Sequence, residues 1–317
     1  MTIIGSLRAI TEAEGDGPVD WQATVRAAKE AVDPGSIDLT DDERRGYRSD
    51  VMEAREQVAE TTNIAFDLPE RIQIQNRYHW IDANVGTFKR VMRPIADRHD
   101  PILPEVTRTI NTGTMSVTLG FLARNVLGQY DPLLLADDPD HGLYFVHPNI
   151  EKVAEELAVD VPRFRRWIAY HEVAHAAEFG AAPWLSGHLE THLQEGLEAM
   201  ASGRFQTETF RELDATMTAV EGYAELIMDR AFDEEYADLR HKLDKRRRRR
   251  SPVGVVIRRL LGLDIKRRQY ERGKEFFDSV ANEIGIDQTG RVWEDPNSLP
   301  RWSEYDDPDA WIARVYR

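Results

Sequence analysis

The segment His171-Glu172-Val173-Ala174-His175 constrains this chain of 317 residues more than any other feature of its sequence. On an α-helix, two residues four positions apart lie one turn apart on the same face, so both imidazoles can reach one metal ion. Glu172 is rotated by about 100° from His171 and can address a water molecule on that ion. The segment therefore predicts a helix that carries two metal ligands and a general base.

The residues around this segment predict where its helix begins, where it ends and how it faces the core. Asp160 and Pro162 supply an N-cap and a first-turn proline, and Gly180 is typical of a helix end. We therefore predict a helix over residues 163–179. Ile168 lies on the stripe of the two histidines, which places both imidazoles in apolar company. Two structural histidines that are hydrogen-bonded in a core remain the alternative.

A hydrolytic zinc site needs a third protein ligand, and several His and Glu residues follow the segment. Glu178 lies on the same helix and is not expected to curl back onto the ion. His188 and His192 repeat the four-residue spacing, but their polar neighbours predict an exposed face, with a second metal site as the alternative. Glu221 lies in a later predicted helix, 211–232, whose small residues allow it to approach the first helix. The remaining candidates are Glu195 and Glu198.

Glu221 begins a Glu-Gly-Tyr-Ala segment that is similar to the Glu-Gly-aromatic-Ala segment of gluzincin aminopeptidases. In those enzymes the segment also follows a His-Glu-x-x-His helix and carries the third zinc ligand, so the resemblance implies that Glu221 is the third ligand here. Glu225 and Asp229 continue the same helix face. We predict that they accept hydrogen bonds from the imidazole N–H groups, with a solvated face as the alternative.

A wider resemblance extends over most of the chain. The sequence is similar to a little-characterised family of zincin-like hydrolases, some of which are associated with biosynthesis of the deazaflavin coenzyme F-420. The matching parts are residues 80–84, 126–131, 146–149, 299–300 and 307–311. The resemblance implies a mainly α, or α+β, zincin-like metallopeptidase fold with a small sheet beside the active-site helix.

Turn and cap signals divide the chain into helices and one strand. Asp67 and Pro69 predict the start of a long helix that runs toward His99, and residues 142–147 have the β-branched and aromatic content of a strand. We expect a single zincin-like unit over residues 1–317. Its predicted parts are a helical N-terminal lobe (1–139), a metal-binding core (140–235) and a C-terminal helical lobe with a basic segment (236–317).

The predicted ligands also predict a cofactor and a mechanism. Two histidines and one glutamate are a ligand set for Zn²⁺, and Glu172 would take a proton from the metal-activated water. The strand at 142–147 resembles the edge strand along which zincins align an extended peptide. The candidates for stabilising the transition state are Tyr223, His147 and Tyr270, with the alternative that each merely packs or caps.

The composition limits the other classes of site. The chain has no Cys, which excludes disulfides and thiolate zinc ligands, and its first residues lack the apolar core of a signal peptide. No apolar run approaches about 18 residues, the length that a membrane helix requires. We therefore expect a cytoplasmic protein with no membrane partner.

The net charge of −15 hides one strongly basic segment, residues 240–275, which contains 15 Lys or Arg and four Asp or Glu. Such a segment can bind phosphate, nucleic acid or an acidic partner. Because only Tyr270 supplies an aromatic ring for base stacking there, a solvated basic surface is favoured, and nucleic acid is not an expected partner.

Three functions remain open at this point. The favoured one is a zinc metallopeptidase or amidase that acts on a peptide or amide substrate. The second is a zinc-binding family member with non-proteolytic or lost activity, associated with deazaflavin coenzyme biosynthesis. The third is a scaffold or nucleic-acid-binding protein. Bound zinc separates the first two from the third, and chelator-sensitive turnover separates the first from the second.

Overall fold

The computed structural model describes residues 17–96, 104–131, 141–201, 207–232, 236–248 and 263–316. These residues form twelve α-helices, three β-strands and three short 3-10 helices within 290–306. The helices are α1 (Trp21–Ala31), α2 (Asp41–Thr62), α3 (Arg77–Ala96), α4 (Pro104–Ala123), α5 (His147–Leu157), α6 (Val161–Ala181), α7 (Leu185–Ala201), α8 (Thr207–Ala231), α9 (Tyr236–Arg248), α10 (Leu263–Ile284), α11 (Ile286–Thr289) and α12 (Pro308–Val315). The strands are β1 (Arg71–Gln75), β2 (Gly128–Asp131) and β3 (Gly142–Val146).

The helical content and the single small sheet confirm the predicted mainly α, or α+β, fold class. Within the described parts of the chain, no helix combines the length and the apolar composition that crossing a membrane requires.

β3 is the central strand of the sheet, between β1 and β2. It pairs in parallel with β1, with Tyr144 opposite Gln73, and antiparallel with β2, with Tyr144 opposite Gln129. All five residues of β3 are buried. The predicted strand is therefore confirmed. The prediction that it is an edge strand is wrong, because neighbouring strands already occupy both of its hydrogen-bonding edges.

The long helix that was predicted to start near Asp67 is replaced by β1 and α3. Arg71–Gln75 alternates polar and apolar side chains, with its two isoleucines on one face, and this is the period of a strand. α3 begins only after Asn76, whose side chain accepts a hydrogen bond from the backbone N–H of His79 at 2.9 Å. The alternation of polar and apolar residues in β1 therefore outweighs the helix-start signal of Pro69.

The described residues group into two compact units, each assembled from three separate stretches of the chain. The first unit takes its residues from Met1–Asp38, Arg71–Lys152 and Gln194–Phe205. The second takes its residues from Leu39–Glu70, Val153–Leu193 and Gln206–Arg317. This grouping does not test the three consecutive lobes expected from the sequence, which remain a prediction.

The first unit contains the sheet and packs α1, α3 and α4 around an apolar core. The buried core residues are Ala28, Trp80, Ile81, Leu119, Ala123 and Val146. Because α1, α3, α4 and β3 all contribute to this core, the sheet and the helices of this unit are buried together.

Side-chain hydrogen bonds connect the segments of the first unit that carry the sequence resemblance. Nε1 of Trp80 donates to Oε1 of Gln129 at 2.8 Å, and Nε2 of Gln129 donates to Oδ1 of Asn84 at 3.0 Å. Asn149, fully buried in α5, donates to two backbone carbonyl groups at and just beyond the end of α4. These polar residues therefore satisfy buried hydrogen-bonding groups of this unit.

The second unit is built on α6, which packs against α2 and α8, while α8 packs against α10. Two ion pairs join α2 to α6. Arg165 donates to Asp50 at 2.6 Å, and Arg166 donates to Glu53 at 2.7 Å. Asp50 and Arg165 are both buried. Charged contacts with α2 and packing with α8 together fix the position of α6.

Candidate metal centre

α6 is the helix predicted around the His-Glu-Val-Ala-His segment, and its local signals act as expected. The side chain of Asp160 accepts a hydrogen bond from the backbone N–H of Arg163 at 3.3 Å, and Pro162 lies in the first turn. The helix continues to Ala181 and passes through Gly180, which was predicted to end it. Gly180 instead allows Phe66 to pack closely against α6, because a Cβ atom at this position would lie only 2.9 Å from the Cβ atom of Phe66.

The two histidines of α6 lie side by side, as their spacing predicts. The ring centroids of His171 and His175 are 4.7 Å apart, and the rings are nearly perpendicular. Trp167 stacks on His171 with an interplanar angle of 9° and a centroid distance of 5.7 Å. Both histidines are half-buried. The stacked indole limits rotation of the His171 ring and covers one of its faces.

Glu221 of α8 completes a group of three potential metal ligands. One ligand atom each from His171, His175 and Glu221 lie within 4.8 Å of one another. Nε2 of His175 is 3.9 Å from a carboxylate oxygen of Glu221, which is buried. Among the described residues, this is the group of His, Asp and Glu side chains that can hold a metal ion.

The donor atoms fit a zinc ion. Two imidazole nitrogens and one carboxylate oxygen form a common catalytic zinc set, which leaves a fourth position for water or substrate. A tetrahedral ion with bonds of about 2.1 Å holds its ligands about 3.4 Å apart. The three ligand atoms lie within 4.8 Å of one another, so small side-chain rotations would bring them to this spacing.

A hydrogen bond from the second histidine to a buried carboxylate lies at the edge of the group. Nδ1 of His175 and Oε2 of Glu178 are 2.9 Å apart, and Glu178 is completely buried. The sequence argued against Glu178 as a metal ligand, and its hydrogen bond with His175 was not predicted. The signal was present, because residues three positions apart on a helix are neighbours.

The carboxylates make the centre strongly negative. Burial by itself lowers the pKa of His175, but Glu178, with further contributions from Glu221 and Glu172, outweighs burial and raises the pKa to about 9. Burial raises the pKa of Glu178 to about 7, against the opposing effect of His175. The surroundings of His175 therefore favour a positive charge, which is an environment suited to a cation.

Glu172, the predicted general base, is buried on α6 directly after His171. It lies close enough to the group for its charge to raise the pKa of His175. The structure therefore brings together the four side chains on which the predicted chemistry depends: His171, Glu172, His175 and Glu221.

The two acidic residues predicted to accept imidazole hydrogen bonds have basic partners in the structure. Glu225 is buried, with one carboxylate oxygen 3.7 Å from a guanidinium nitrogen of Arg240. Asp229 forms ion pairs with Arg240, at 3.2 Å, and with Lys274. Their predicted role toward the imidazoles therefore remains a prediction.

The predicted roles of the candidates for stabilising a transition state remain predictions. Tyr223 is fully buried and packs edge-on against Phe277 and Trp293, so packing accounts for its position. His147 belongs to the first unit, where its Nε2 atom lies 3.4 Å from a carboxylate oxygen of Glu151. The side chain of Tyr270 lies outside the described residues.

One histidine of the second pair, His188, lines a cavity. The rings of His188 and His192 are 4.5 Å apart, and Nε2 of His188 is 3.1 Å from the hydroxyl of Thr216. His188, Arg211 and Trp302 are among the residues that line the cavity, which has a volume of about 430 Å³. Burial, followed by the charge of His192, lowers the pKa of His188. The expectation of an exposed face is wrong for His188, which is half-buried.

Only part of the basic segment belongs to the described residues, which exclude residues 249–262 and the side chains of residues 247–270. In the described part, Arg246 donates to Glu156 at 2.7 Å, and Arg240 pairs with the acidic residues of α8. These basic groups neutralise the protein's own carboxylates. The segment's predicted lack of a nucleic-acid partner remains a prediction.

Comparisons with known proteins identify the family to which this chain is similar. The family profile described as zincin-like metallopeptidase matches residues 19–205 and 191–312. A solved structure from Chloroflexus aurantiacus, described as "a putative hydrolase with a novel fold", is 30% identical in sequence, with a TM-score of 0.80. The match covers 94% of this chain and 99% of that one. No curated protein matches this chain.

Proposed function

Because this chain belongs to the zincin-like metallopeptidase family, we propose that it is a zinc-dependent hydrolase that cleaves a peptide or amide bond. Membership of the family and the related hydrolase structure support a metallohydrolase in general. The observation that carries the finer proposal is the convergence of His171, His175 and Glu221, with the buried carboxylate of Glu172 beside them.

In this proposal, the zinc ion would be held by His171, His175 and Glu221. Bound zinc lowers the pKa of a water molecule toward neutrality and polarises a carbonyl group. The remaining chemistry belongs to Glu172, whose carboxylate accepts the proton of the attacking water and then delivers it to the leaving amine.

The surroundings of the group support this division of roles. Trp167 stacks on His171 and limits the access of water to one side of the imidazole. Burial of Glu172 and Glu221 places both charges where water screens them weakly, so each acts more strongly on its neighbours. A carboxylate that is buried beside the ligands, without being needed as one, is suited to proton transfer.

The test is the hydrolysis of peptide and amide libraries by the purified protein. We expect turnover that is abolished by a zinc chelator and restored by added zinc. Glu172→Gln should retain zinc and lose at least about a hundredfold of the rate, because an amide cannot accept the proton. The matched control is Glu294→Gln, which changes an exposed glutamate outside the ligand group and should keep the rate.

Two results would oppose the proposal. Turnover that persists in chelator would remove zinc from the mechanism, and full activity of Glu172→Gln would remove Glu172. Zinc binding without turnover of any library member would instead favour the alternative function, a zinc-binding family member that is not a hydrolase. The association with deazaflavin coenzyme biosynthesis remains a prediction from the sequence.

A further inference from the structure

Glu178 stands out among the buried charged residues because it is completely inaccessible to solvent and contacts a proposed zinc ligand. Its Oε2 atom is 2.9 Å from Nδ1 of His175, on the side of the ring away from Nε2. Nε2 is the ring nitrogen that lies 3.9 Å from Glu221. The two nitrogens of this imidazole therefore face two different carboxylates.

We propose that Glu178 is a positioning residue that fixes the orientation and tautomer of His175 for zinc. By accepting a hydrogen bond from Nδ1–H, it keeps the proton on that nitrogen and leaves the lone pair of Nε2 available to the metal. Such a partner also raises the basicity of the imidazole. This inference rests on the proposed function, because it assigns a role within the same metal centre.

The position of Glu178 on α6 makes it effective in this role. The carboxylate and the ring of His175 lie three residues apart on one rigid helix, so the helix itself holds the orienting group and the ligand together. The other histidine is held differently, because the indole of Trp167 stacks on His171. Each imidazole therefore has its own support on α6.

A purely structural role accounts poorly for Glu178. A completely buried carboxylate is costly, and an apolar side chain of similar size would fill the same space at a lower cost. The cost is explained if the carboxylate is needed for its hydrogen bond to His175.

The experiment compares zinc affinity in Glu178→Leu and Glu178→Gln with that of the full-length wild type, by competition with a chelator. Leu removes the acceptor, and we expect a dissociation constant about 10 to 100 times higher. Gln keeps an acceptor oxygen of nearly the same shape, so it should recover most of the lost affinity.

A spectroscopic readout keeps the inference testable if the Leu variant folds poorly. Long-range ¹H–¹⁵N NMR spectra of the zinc-loaded protein report which nitrogen of His175 carries the proton, with His175→Ala used to assign the signal. The wild type and Glu178→Gln should both show a protonated Nδ1. The comparison variant is Glu304→Gln, which changes a buried glutamate outside the ligand group that pairs with Arg314 and should bind zinc within about threefold of the wild type.

Three results would overturn the inference. One is a Leu variant that binds zinc as tightly as the wild type, and another is a wild type in which Nδ1 of His175 carries no proton. The third is a loss of affinity in Glu304→Gln that exceeds the loss in Glu178→Leu. Failure of the proposed function looks different, because the wild-type protein itself would then fail to bind zinc.

Discussion

Gly222 of α8 and Gly273 of α10 meet backbone to backbone. A Cβ atom added to Gly222 would lie 2.4 Å from the carbonyl carbon of Gly273, and one added to Gly273 would lie 2.3 Å from the carbonyl oxygen of Thr218. Gly222 directly follows Glu221, so this contact fixes α8 next to a proposed metal ligand. From the sequence, the small residues around Glu221 were expected to face α6, but Gly222 faces α10.

Gly222→Ala should therefore destabilise the protein and weaken zinc binding together. The new methyl group meets backbone atoms that cannot rotate away, so the helices must separate, at a cost of about 1–3 kcal/mol. Urea unfolding measures the cost, and chelator competition measures the accompanying change in affinity. The control is Gly187→Ala on α7, where a Cβ atom meets nothing within 4 Å, and which should leave the stability unchanged or raise it by up to about 1 kcal/mol. Equal effects of the two variants would contradict this account of the helix contact.

The ion pair between Asp50 and Arg165 should be a major support of α6. Asp50→Asn leaves the buried guanidinium of Arg165 without its counter-charge, and we expect a loss of about 3–5 kcal/mol in the free energy of unfolding. The matched control is Asp42→Asn, which breaks an exposed pair with Arg45 and should cost less than about 1 kcal/mol. Similar losses in the two variants would show that the buried pair has no special role.

The stability of the metal-free protein should depend on pH through His175 and Glu178. The pKa of His175 is raised to about 9, so the stabilisation from its protonated form is complete below its unfolded pKa of 6.5 and is lost as the pH rises toward 9. The pKa of Glu178 is raised to about 7, so its ionisation destabilises the folded state as the pH rises from 4.5 to 7. Both effects lower the stability of the folded state as the pH rises.

Bound zinc should remove much of the pH dependence of stability, because it takes the place of the proton on His175 beside the carboxylates. The increase in melting temperature caused by saturating zinc should therefore become larger between pH 6.5 and pH 8.5. Differential scanning calorimetry in matched buffers measures it. An increase that stays constant over this range would contradict the assigned electrostatics of His175.

The parts of the fold and the site that the sequence predicted are those with short-range signals. Asp160 and Pro162 act within one turn, and they place the start of α6 close to its predicted position. The strand over β1 was missed although its alternation is local, because Pro69 was interpreted as the start of a helix. The central position of β3 was not predictable, because it depends on pairing with strands that lie far away in the sequence.

In the metal centre, too, contacts within one helix were predictable and contacts between helices were not. The spacing of His171 and His175 predicts their proximity, since one helix sets it. The approach of Glu221 depends on the packing of α8 against α6, and only the resemblance to gluzincin aminopeptidases indicated it. The hydrogen bond of Glu178 lies within α6, but whether a neighbouring carboxylate faces a ring or the solvent is decided by burial.

Glu221→Gln should produce a different failure from Glu172→Gln. The first change replaces a charged ligand with a neutral one, so the zinc dissociation constant should rise by about tenfold or more. The second changes a residue that is not a ligand, so zinc affinity should remain near that of the wild type. Chelator competition on both variants makes the comparison. If Glu221→Gln binds zinc normally while His192→Ala loses it, the third ligand has been assigned wrongly.

The most direct test of the metal centre is an anomalous difference map, recorded at the zinc absorption edge, from crystals grown with one equivalent of zinc. We predict one strong peak, about 2.0–2.2 Å from a nitrogen of His171, Nε2 of His175 and a carboxylate oxygen of Glu221. The absence of a peak at these residues, or a dominant peak at His188 and His192 instead, would contradict the account.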